Sequence, residues 1–326
     1  MDRTPIWLMR QAGRYLPQYR EVRSRTDFLG LCKTPDLACE VTLQPIDIFG
    51  FDAAILFSDI LLPLEAMGLG LVFTEDGPSL PTPIRTGADI QRLVVPDPEA
   101  SMPFVSGAVR KIRARLAGRV PLIGFAGAPF TLAAYAVEGG GSTQWAKAKR
   151  FLYADPVSAH ELLGRISRTV VQALLAQIAA GVEAVQLFDS WAGALAHPEY
   201  VEFALRWAAA TIAGIKSARP DVPVIYFVNG VAPFLDVVSR SGADVIGIDF
   251  RVDLGHARGR LGSLPVQGNL DPCALFAPPD VIAGKAAEIV RAGRAAPGHI
   301  FNLGHGILPE TPVDHVHALV AAVHAA

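Results

Sequence analysis

The sequence of 326 residues predicts an α/β protein, a distorted (β/α)8 TIM barrel formed by a single domain over residues 1–326. Three observations lead to this fold class. Short apolar runs rich in β-branched residues recur along the chain, each ends in small or polar residues, and helical patterns lie between most of them. Continuous apolar runs are typical of parallel strands buried on both faces. An alternation with about eight repeats favours a barrel over a doubly wound sheet.

The predicted strands share an apolar body and a polar or small C-terminal end. In chain order they are 6–9, 53–57, 122–125, 184–188, 224–228, 245–248, 265–266 and 300–303. The first of them is the weakest strand prediction. The spacer after Asp249 is too short for a full-length helix. We therefore expect a distorted barrel.

Helical patterns fill most of the spacers. The clearest covers residues 156–180, with Asp155 as the expected N-cap, and others cover 197–218 and 279–293. Residues 69–95 are rich in glycine and proline, which predicts an inserted hairpin or loop and not a second domain.

Composition excludes several classes of protein. A net charge of −2 and a pI near 6.4 provide no basic field for nucleic acid or an anionic membrane. Cys32, Cys39 and Cys273 form no Cys-x-x-Cys pair, so neither a disulfide framework nor a structural zinc site is indicated. The N-terminus does not resemble a signal peptide, and apolar runs such as 173–182 are too short to span a bilayer. These features predict a cytoplasmic protein.

The barrel prediction also locates the site. Active sites of such barrels lie at the C-terminal ends of the strands. Five polar side chains that follow predicted strands would converge there, namely Asp59, Ser190, Asp249, Asn269 and His305.

An arginine-rich segment follows the first predicted strand. Arg10 and Arg14 flank Gln11-Ala12-Gly13, and Arg20 and Arg23 come soon after. Guanidinium groups pair bidentately with carboxylates, so this cluster suits a ligand with several carboxylates. The alternative is a solvated basic helix face.

Asp59 follows a fully apolar strand and precedes further aliphatic residues. A carboxylate in such surroundings is costly unless a cation or a hydrogen-bond donor meets it. It is therefore either a site residue or the N-cap of the next helix.

Other polar segments allow narrower conclusions. Residues 127–142 contain Tyr135 and a triple glycine but neither phosphate-loop pattern, so no nucleotide site is indicated. Ser190 lacks a Gly-x-Ser-x-Gly elbow and is better interpreted as a hydrogen-bonding residue than as a nucleophile. His305 lies between two glycines, where a ligand can approach closely, although a single histidine there is as often structural.

Seven motifs in this order resemble the uroporphyrinogen decarboxylase family. They are Met-Arg-Gln-Ala-Gly-Arg-Tyr-Leu-Pro at 9–17, Phe-Ser-Asp-Ile-Leu at 57–61, Gly-Ala-Pro-Phe-Thr-Leu at 127–132, Glu-Gly-Gly-Gly-Ser at 138–142, Phe-Asp-Ser-Trp-Ala-Gly at 188–193, Gln-Gly-Asn-Leu-Asp-Pro at 267–272 and Asn-Leu-Gly-His-Gly at 302–306. Two departures stand out. Phe250 replaces a usual tryptophan, which we interpret as a packing change, and the chain lacks the short leading segment of most members, which predicts a loosened first strand.

The resemblance implies a cofactor-free and metal-free carboxy-lyase, usually a homodimer, that converts the acetate arms of uroporphyrinogen III to methyl groups and gives coproporphyrinogen III. It implies that Asp59 and Arg10 are catalytic. The substrate-binding set that it implies is Arg10, Gln11, Ala12, Gly13, Arg14, Asp59, Tyr135, Ser190 and His305. The source of the proton that the reaction needs stays open.

The sequence allows two alternative functions to be compared with this interpretation. A corrinoid- or thiol-dependent methyltransferase of the same barrel superfamily would need zinc held by His and Cys ligands, and Cys273 and the other cysteines lie outside any such pattern. A non-catalytic tetrapyrrole carrier could keep the binding residues, but the presence of both Asp59 and Arg10 argues against loss of turnover.

Overall fold

The computed structural model describes residues 3–75, 77–295 and 298–326. The strands among these residues are β1 (Ala54–Ile55), β2 (Val72–Thr74), β3 (Gly77–Ser79), β4 (Leu122–Gly127), β5 (Ala184–Asp189), β6 (Val224–Val228), β7 (Val245–Ile248), β8 (Val266–Gln267) and β9 (His299–Ile300). The α-helices are α1 (Pro17–Arg23), α2 (Phe28–Lys33), α3 (Pro35–Phe49), α4 (Leu62–Ala66), α5 (Gly87–Gln91), α6 (Pro98–Ser101), α7 (Pro103–Leu116), α8 (Pro129–Glu138), α9 (Ala146–Ala154), α10 (Pro156–Ala180), α11 (His197–Glu199), α12 (Arg206–Ala218), α13 (Leu254–Leu261), α14 (Pro279–Gly293) and α15 (Val313–Ala325). Short 3-10 turns cover Ala192–Ala194, Ala232–Phe234, Val238–Ser241 and Pro272–Phe276.

Seven of these strands form one parallel sheet in the order β1-β4-β5-β6-β7-β8-β9, with helices between them. The predicted α/β barrel class is confirmed. The predicted bounds of β6 and β7 are confirmed residue for residue. The strands near the sheet edges, β1, β8 and β9, have only two residues each.

The first predicted strand, 6–9, is wrong as a regular strand. Ile6 forms only an isolated parallel bridge to Phe301, and its carbonyl accepts a hydrogen bond from the Asp52 N–H at 2.9 Å. The segment therefore lies between the two edges of the sheet and completes the ring. Beyond Trp7, side chains take the backbone donors, because Leu8 N donates to Gln11 Oε1 at 3.1 Å and Met9 N donates to Asn302 Oδ1 at 2.9 Å. A ladder of strand hydrogen bonds cannot continue once its N–H groups are used in this way.

The helix predictions fare better. The bounds of α10 and α14 are confirmed, and the Asp155 carboxylate caps α10 by accepting the Ser158 N–H at 3.0 Å. The predicted helix over 197–218 is a continuous helical segment in which a π-helical stretch, Tyr200–Leu205, separates α11 from α12. The short spacer after Asp249 holds the eight residues of α13.

A glutamine from α10 completes the sheet where β1 stops. Phe125 lies two residues past Ile123, the last partner of β1 in β4. The Gln177 side chain accepts the Phe125 N–H at 2.9 Å and donates to the Phe125 carbonyl at 3.0 Å. This amide replaces the missing neighbour strand and fixes the part of β4 that leads to the site.

The stretch 69–95 contains the antiparallel hairpin of β2 and β3, followed by α5. The hairpin is joined to the triple-glycine segment by a bridge between Ser79 and Gly140, and Leu80 N donates to Gly139 O at 2.9 Å. Asp76, within this stretch, lies outside the described residues. The hairpin thus covers the segment that follows α8.

The core continues into the barrel interior. Trp7, Met9, Ala53, Ile123 and Phe227 form an apolar cluster there. Within the described parts of the chain, no helix combines the length and the apolar composition needed to cross a membrane.

Candidate active site

The C-terminal ends of the strands bring most of the predicted site residues to one end of the barrel. Asp59 follows β1, Tyr135 lies in α8 after β4, Ser190 follows β5, and His305 comes after β9. Arg10 ends the segment that closes the ring. Residues from five chain segments therefore share one mouth, as expected for a barrel.

Arg10 occupies a tight turn that a buried side chain fixes. Its φ of +63° lies in the left-handed region, which non-glycine residues rarely adopt. Gln11 is 1% exposed, and its side chain accepts from Leu8 N at 3.1 Å and donates to Ala53 O at 3.2 Å. The Tyr15 hydroxyl donates to the Gln11 carbonyl at 2.8 Å. Gln11 therefore positions Arg10, and its side chain does not face the mouth.

Ala12 and Gly13 form the next part of this turn and are half-buried. Leu16 N donates to Gly13 O at 3.0 Å, which leads the chain into α1. A Cβ at position 13 would lie 2.9 Å from the Arg10 carbonyl oxygen. Glycine at position 13 therefore lets the turn that connects Arg10 with Arg14 close.

The four arginines of this region divide into two pairs. Arg20 donates to the carbonyls of Arg14 and Tyr15 at 2.7 and 3.1 Å, and Arg23 donates to the carbonyl of Thr26. Arg10 and Arg14 are exposed, and their guanidinium groups make no hydrogen bond or ion pair with the described residues. The first pair stabilises the backbone, whereas the second is available to a ligand.

Asp59 keeps one carboxylate oxygen open. The side chain is half-buried, and Oδ1 accepts the Leu61 N–H at 2.8 Å. No described residue donates a hydrogen bond to Oδ2. Since α4 has Leu61 as its N-cap, the helix-cap alternative for Asp59 is wrong. Burial raises the pKa of Asp59 to about 6, against the lowering effects of the Leu61 N–H and of Arg10.

The loop around His305 lies between Arg10 and Phe250. A Cβ on Gly304 would lie 2.1 Å from the Phe250 backbone nitrogen, and one on Gly306 would lie 2.4 Å from the Arg10 Cδ. Burial, followed by the charges of Arg10 and Arg251, lowers the pKa of His305. The imidazole is therefore neutral at neutral pH and can both donate and accept a hydrogen bond.

Tyr135 belongs to an aromatic cluster beside Asp59. Its ring packs edge-on against Trp145 and Trp191, with centroids 5.2 and 6.0 Å away. Burial raises the pKa of Tyr135, the neighbouring Trp191 side chain lowers it, and the nearby Asp59 charge raises it further. The hydroxyl therefore stays protonated and can donate a hydrogen bond into the mouth.

Asp189, one residue before Ser190, braces the end of β5. It is fully buried and accepts hydrogen bonds from Thr131 Oγ1 at 2.7 Å and from the Tyr226 hydroxyl at 2.8 Å. Burial raises the pKa of Asp189 to about 6, and these two donors lower it. Ser190 itself is half-buried at the mouth. Asp189 thus fixes the end of β5 and with it the position of Ser190.

Asp249 and Asn269 lie at the predicted end of the barrel but are used inside the fold. Asp249 Oδ2 accepts the N–H groups of Gly230 and Val231 at 2.9 and 2.8 Å, and Oδ1 accepts the Arg251 N–H at 3.0 Å. Asn269 Nδ2 donates to the Asp249 carbonyl at 3.0 Å. The expectation that the Asp249 side chain reaches the pocket is wrong, because it is fully buried and backbone N–H groups occupy both of its carboxylate oxygens. The Asn269 amide nitrogen is likewise held by backbone carbonyls.

Sequence reasoning did not include Arg251. It lies three residues past the end of β7, its side chain is 52% exposed, and Nη2 donates to Asn229 Oδ1 at 3.1 Å. Asn229 Nδ2 in turn donates to the Ser190 carbonyl at 3.2 Å. The sequence did contain a signal for this residue, because Arg251 stands two residues after Asp249, which follows a predicted strand.

No three His, Cys, Asp or Glu side chains of the described ranges are grouped so that they could hold a metal ion. The charges at the mouth come instead from the Asp59 carboxylate and from the exposed guanidinium groups of Arg10, Arg14 and Arg251. This arrangement suits an anionic ligand with a polar or weakly cationic centre.

The family model and the similar proteins of known name agree on one family. The family model described as uroporphyrinogen decarboxylase (URO-D) matches residues 1–326. A uroporphyrinogen decarboxylase of Trichlorobacter lovleyi is 52% identical over 325 residues, which is 99% of this chain and 95% of that protein. One from Chloroflexus aurantiacus is 51% identical over 327 residues, with 99% and 92% coverage.

Solved structures show the likeness of fold. A methyltransferase from Methanosarcina mazei has a TM-score of 0.81 at 21% identity and covers 99% of this chain and 94% of its own. A B12-independent methionine synthase from Shewanella sp. W3-18-1 has a TM-score of 0.59 at 10% identity, with 89% and 87% coverage. At these identities the comparison shows a shared barrel and nothing about the reaction.

Proposed function

The chain belongs to the uroporphyrinogen decarboxylase family, and on this basis we propose how its site carries out the reaction. It is a carboxy-lyase of porphyrin and haem biosynthesis, which removes carboxyl groups from the acetate arms of uroporphyrinogen III and yields coproporphyrinogen III. The observation that carries the proposed mechanism is the Asp59 carboxylate. It has an open Oδ2 and faces a mouth lined with guanidinium groups.

The reaction needs an acceptor for the electron pair of the broken C–C bond. Protonation of a pyrrole α-carbon turns that ring into an iminium-like cation, which can accept the pair as CO₂ leaves. A proton then adds to the exocyclic methylene carbon to form the methyl group, and the ring loses the proton that it gained. The substrate itself thus supplies the electron sink, and the protein supplies charge and position.

Asp59 is the central group in this scheme. Its open oxygen accepts hydrogen bonds from pyrrole N–H groups, and its negative charge stabilises the cation as it forms. A preorganised group of this kind is worth about 3–4 kcal/mol in the transition state.

Asp59 is also a better proton donor than Arg10. With a pKa of about 6, about a tenth of the molecules carry this proton at neutral pH, whereas arginine holds its proton far above that range. Once Asp59 has given its proton to the ring, it becomes the carboxylate that the new cation requires. Arg10 then serves as a counter-charge for substrate carboxylates and remains part of the catalytic pair.

The remaining site residues bind and orient the substrate. Arg14 joins Arg10 in pairing with carboxylate arms, and Tyr135, Ser190 and His305 form hydrogen bonds with carboxylates or with the ring edge. Gln11, Ala12 and Gly13 take part through the turn that they build and through its backbone groups. The neutral His305 adds a donor without adding charge.

Anaerobic turnover tests this proposal. Metal-stripped protein incubated with uroporphyrinogen III should release CO₂ and give porphyrins with stepwise fewer carboxyl groups when the products are oxidised and separated by chromatography. A chelator should leave the rate unchanged. Asp59→Ala should abolish turnover and keep the fold.

Two outcomes would contradict the proposal. Wild-type rates in Asp59→Ala would remove Asp59 from the mechanism. Tight binding without conversion by the unmodified protein would instead favour the carrier hypothesis. The matched control is Asp47→Ala, because Asp47 is an exposed carboxylate on α3 that pairs with Arg119, away from the barrel mouth.

Family membership also supports a cofactor-independent reaction, a homodimer and a cytoplasmic location. Sedimentation of the purified chain at micromolar concentration should give twice the mass of 34.7 kDa. A concentration-independent monomer would contradict the dimer.

A further inference from the structure

Arg251 is held at the mouth of the barrel in a fixed orientation. Its backbone N–H donates to Asp249 Oδ1. In the side chain, Nη2 donates to Asn229 Oδ1 at 3.1 Å, and the guanidinium lies 5.1 Å above the centroid of the Phe250 ring. Its Nε is 3.8 Å from Asp249 Oδ1. A half-exposed guanidinium fixed by an amide and an aromatic face has lost much of its side-chain freedom before any ligand arrives.

The His305 loop connects Arg251 with Arg10. Gly304 lies directly against the Phe250 backbone, and Gly306 lies directly against the Arg10 side chain. His305 between them is influenced by both arginine charges. Arg10, His305 and Arg251 therefore form a row along one side of the mouth.

Arg251 keeps donors for a ligand. Among the described residues, Asn229 is its only side-chain hydrogen-bond acceptor, and a guanidinium carries several further N–H groups. Asp249, the nearest carboxylate, is fully buried and already accepts three backbone N–H groups, so it cannot replace an incoming carboxylate. The exposed face of Arg251 thus has the geometry of a carboxylate site.

We propose that Arg251 binds a propionate arm of the substrate, together with His305, and so helps to fix the orientation of the macrocycle above Asp59. This proposal rests on the proposed function. A propionate is favoured over an acetate for a chemical reason. An ion pair with a guanidinium stabilises the carboxylate of the ground state and slows the loss of CO₂, whereas a propionate keeps its charge through the whole reaction.

The order of the strands around the barrel also favours a propionate over an acetate. Asp59 follows β1 on one side of the closing segment, while Arg251 follows β7, which lies beyond β8 and β9 on the other side. An arm bound at Arg251 therefore lies across the barrel mouth from Asp59.

Steady-state kinetics of Arg251→Gln with two substrates tests the proposal. One substrate is uroporphyrinogen III, and the other is the last intermediate, which retains one acetate arm and every propionate arm. We expect KM to rise about tenfold for both substrates alike, with kcat little changed, because one charge-assisted pair is lost from ground state and transition state together.

The matched control is Arg240→Gln. Arg240 is an exposed arginine in a 3-10 turn, and its guanidinium makes no hydrogen bond or ion pair with the described residues. Its substitution therefore removes the same charge without touching the mouth. Its KM should equal that of the wild type. Arg251→Lys should recover part of the affinity, since lysine keeps the charge but not the fork.

A second readout locates the effect. Because the Arg251 charge lowers the pKa of His305, the His305 imidazole should titrate at higher pH in Arg251→Gln than in the wild type, as followed by NMR. An unchanged KM in Arg251→Gln would overturn the proposal, and so would a rise confined to uroporphyrinogen III, which would indicate an acetate. If the wild-type protein showed no turnover at all, the proposed function would fail instead, and binding titrations with the same variants would still test the site.

Discussion

At the scale of the single residue, Asp59 shows how burial prepares a carboxylate for two roles. Its pKa of about 6 lies above the ordinary value because water is largely excluded around it. The folded state therefore binds the Asp59 proton more tightly than the unfolded chain does. This group makes folding less favourable as the pH rises from about 4 to 6, and the cost is fully present above the folded pKa.

The sign of this effect gives a prediction for Asp59→Asn. Between pH 4 and pH 6 the free energy of unfolding of the wild type should fall relative to that of the variant, and at pH 7 the variant should be more stable by about 1–3 kcal/mol. Denaturant unfolding at a series of pH values measures this difference. Turnover should be lost in the same variant, since a neutral amide neither gives the proton nor stabilises the cation.

The reverse result would be informative. A variant less stable than the wild type at pH 7 would mean that the ionised Asp59 is stabilised by its partners more than it is penalised by burial. Asp47→Asn is the matched control, because Asp47 is an exposed carboxylate on α3 away from the barrel mouth.

Single residues also show where sequence reasoning succeeds and where it stops. Asp59 and His305 could be assigned to the mouth because the end of a strand fixes the location of the next residues. The role of Arg251 could not, because it depends on Asn229, which follows a different strand, β6. Nor could the sequence reveal that the Gln11 side chain is used by the backbone, since its acceptor on Ala53 is 42 residues away.

At the scale of the element, the His305 loop is built by two glycines with different neighbours. A methyl group on Gly304 would meet the backbone of Phe250, which cannot move without disturbing β7. A methyl group on Gly306 would meet the Arg10 side chain, which can rotate away. The same substitution should therefore have two different effects.

Gly304→Ala should destabilise the protein by about 1–3 kcal/mol or more, because overpacking against backbone is not relieved by a rotamer change. Gly306→Ala should unfold near the wild-type temperature and lose activity on the order of 10-fold to 100-fold, because Arg10 is displaced. Thermal unfolding and kcat/KM of the two variants measure the contrast. Equal stability loss in both would show that Arg10 is not free to move.

Elements with strong local signals were predicted well. α10 matches its predicted bounds because a proline, a capping aspartate and a long amphipathic pattern agree. The segment 6–9 carries an equally apolar pattern but does not form a strand, because Asn302 and Gln11 side chains take its donors. These competing acceptors are not visible in the pattern of the segment itself.

At the scale of the whole molecule, the barrel closes at a seam between the segment around Ile6 and the edges of the sheet. Asp52 holds this seam. Its Oδ2 accepts the Ile6 N–H at 2.9 Å and lies 2.8 Å from His324 Nε2 on α15, and its Oδ1 accepts from Arg3 at 2.6 Å. One carboxylate thus connects both ends of the described chain to β1.

Asp52→Ala should lower the free energy of unfolding by about 1–3 kcal/mol, because the Ile6 N–H loses its acceptor. Amide hydrogen exchange should quicken first around residues 6–16, ahead of β4 to β7, and kcat/KM should fall because Arg10 follows this segment. Asp52→Asn keeps an oxygen that can accept the Ile6 N–H, so its free energy of unfolding should lie between those of the wild type and of Asp52→Ala. Uniform exchange over the whole sheet would contradict a localised seam.

The seam has a consequence for the order in which the protein is made. The Arg10 turn leaves the ribosome long before Phe301 and Asn302, which are the partners of Ile6 and Met9. Contacts of such long sequence separation form late, after the local helices and the neighbouring strands. The Arg10 turn is thus synthesised well before the residues that position it, and a nascent chain that has not yet reached residue 302 has strands and helices but an open barrel.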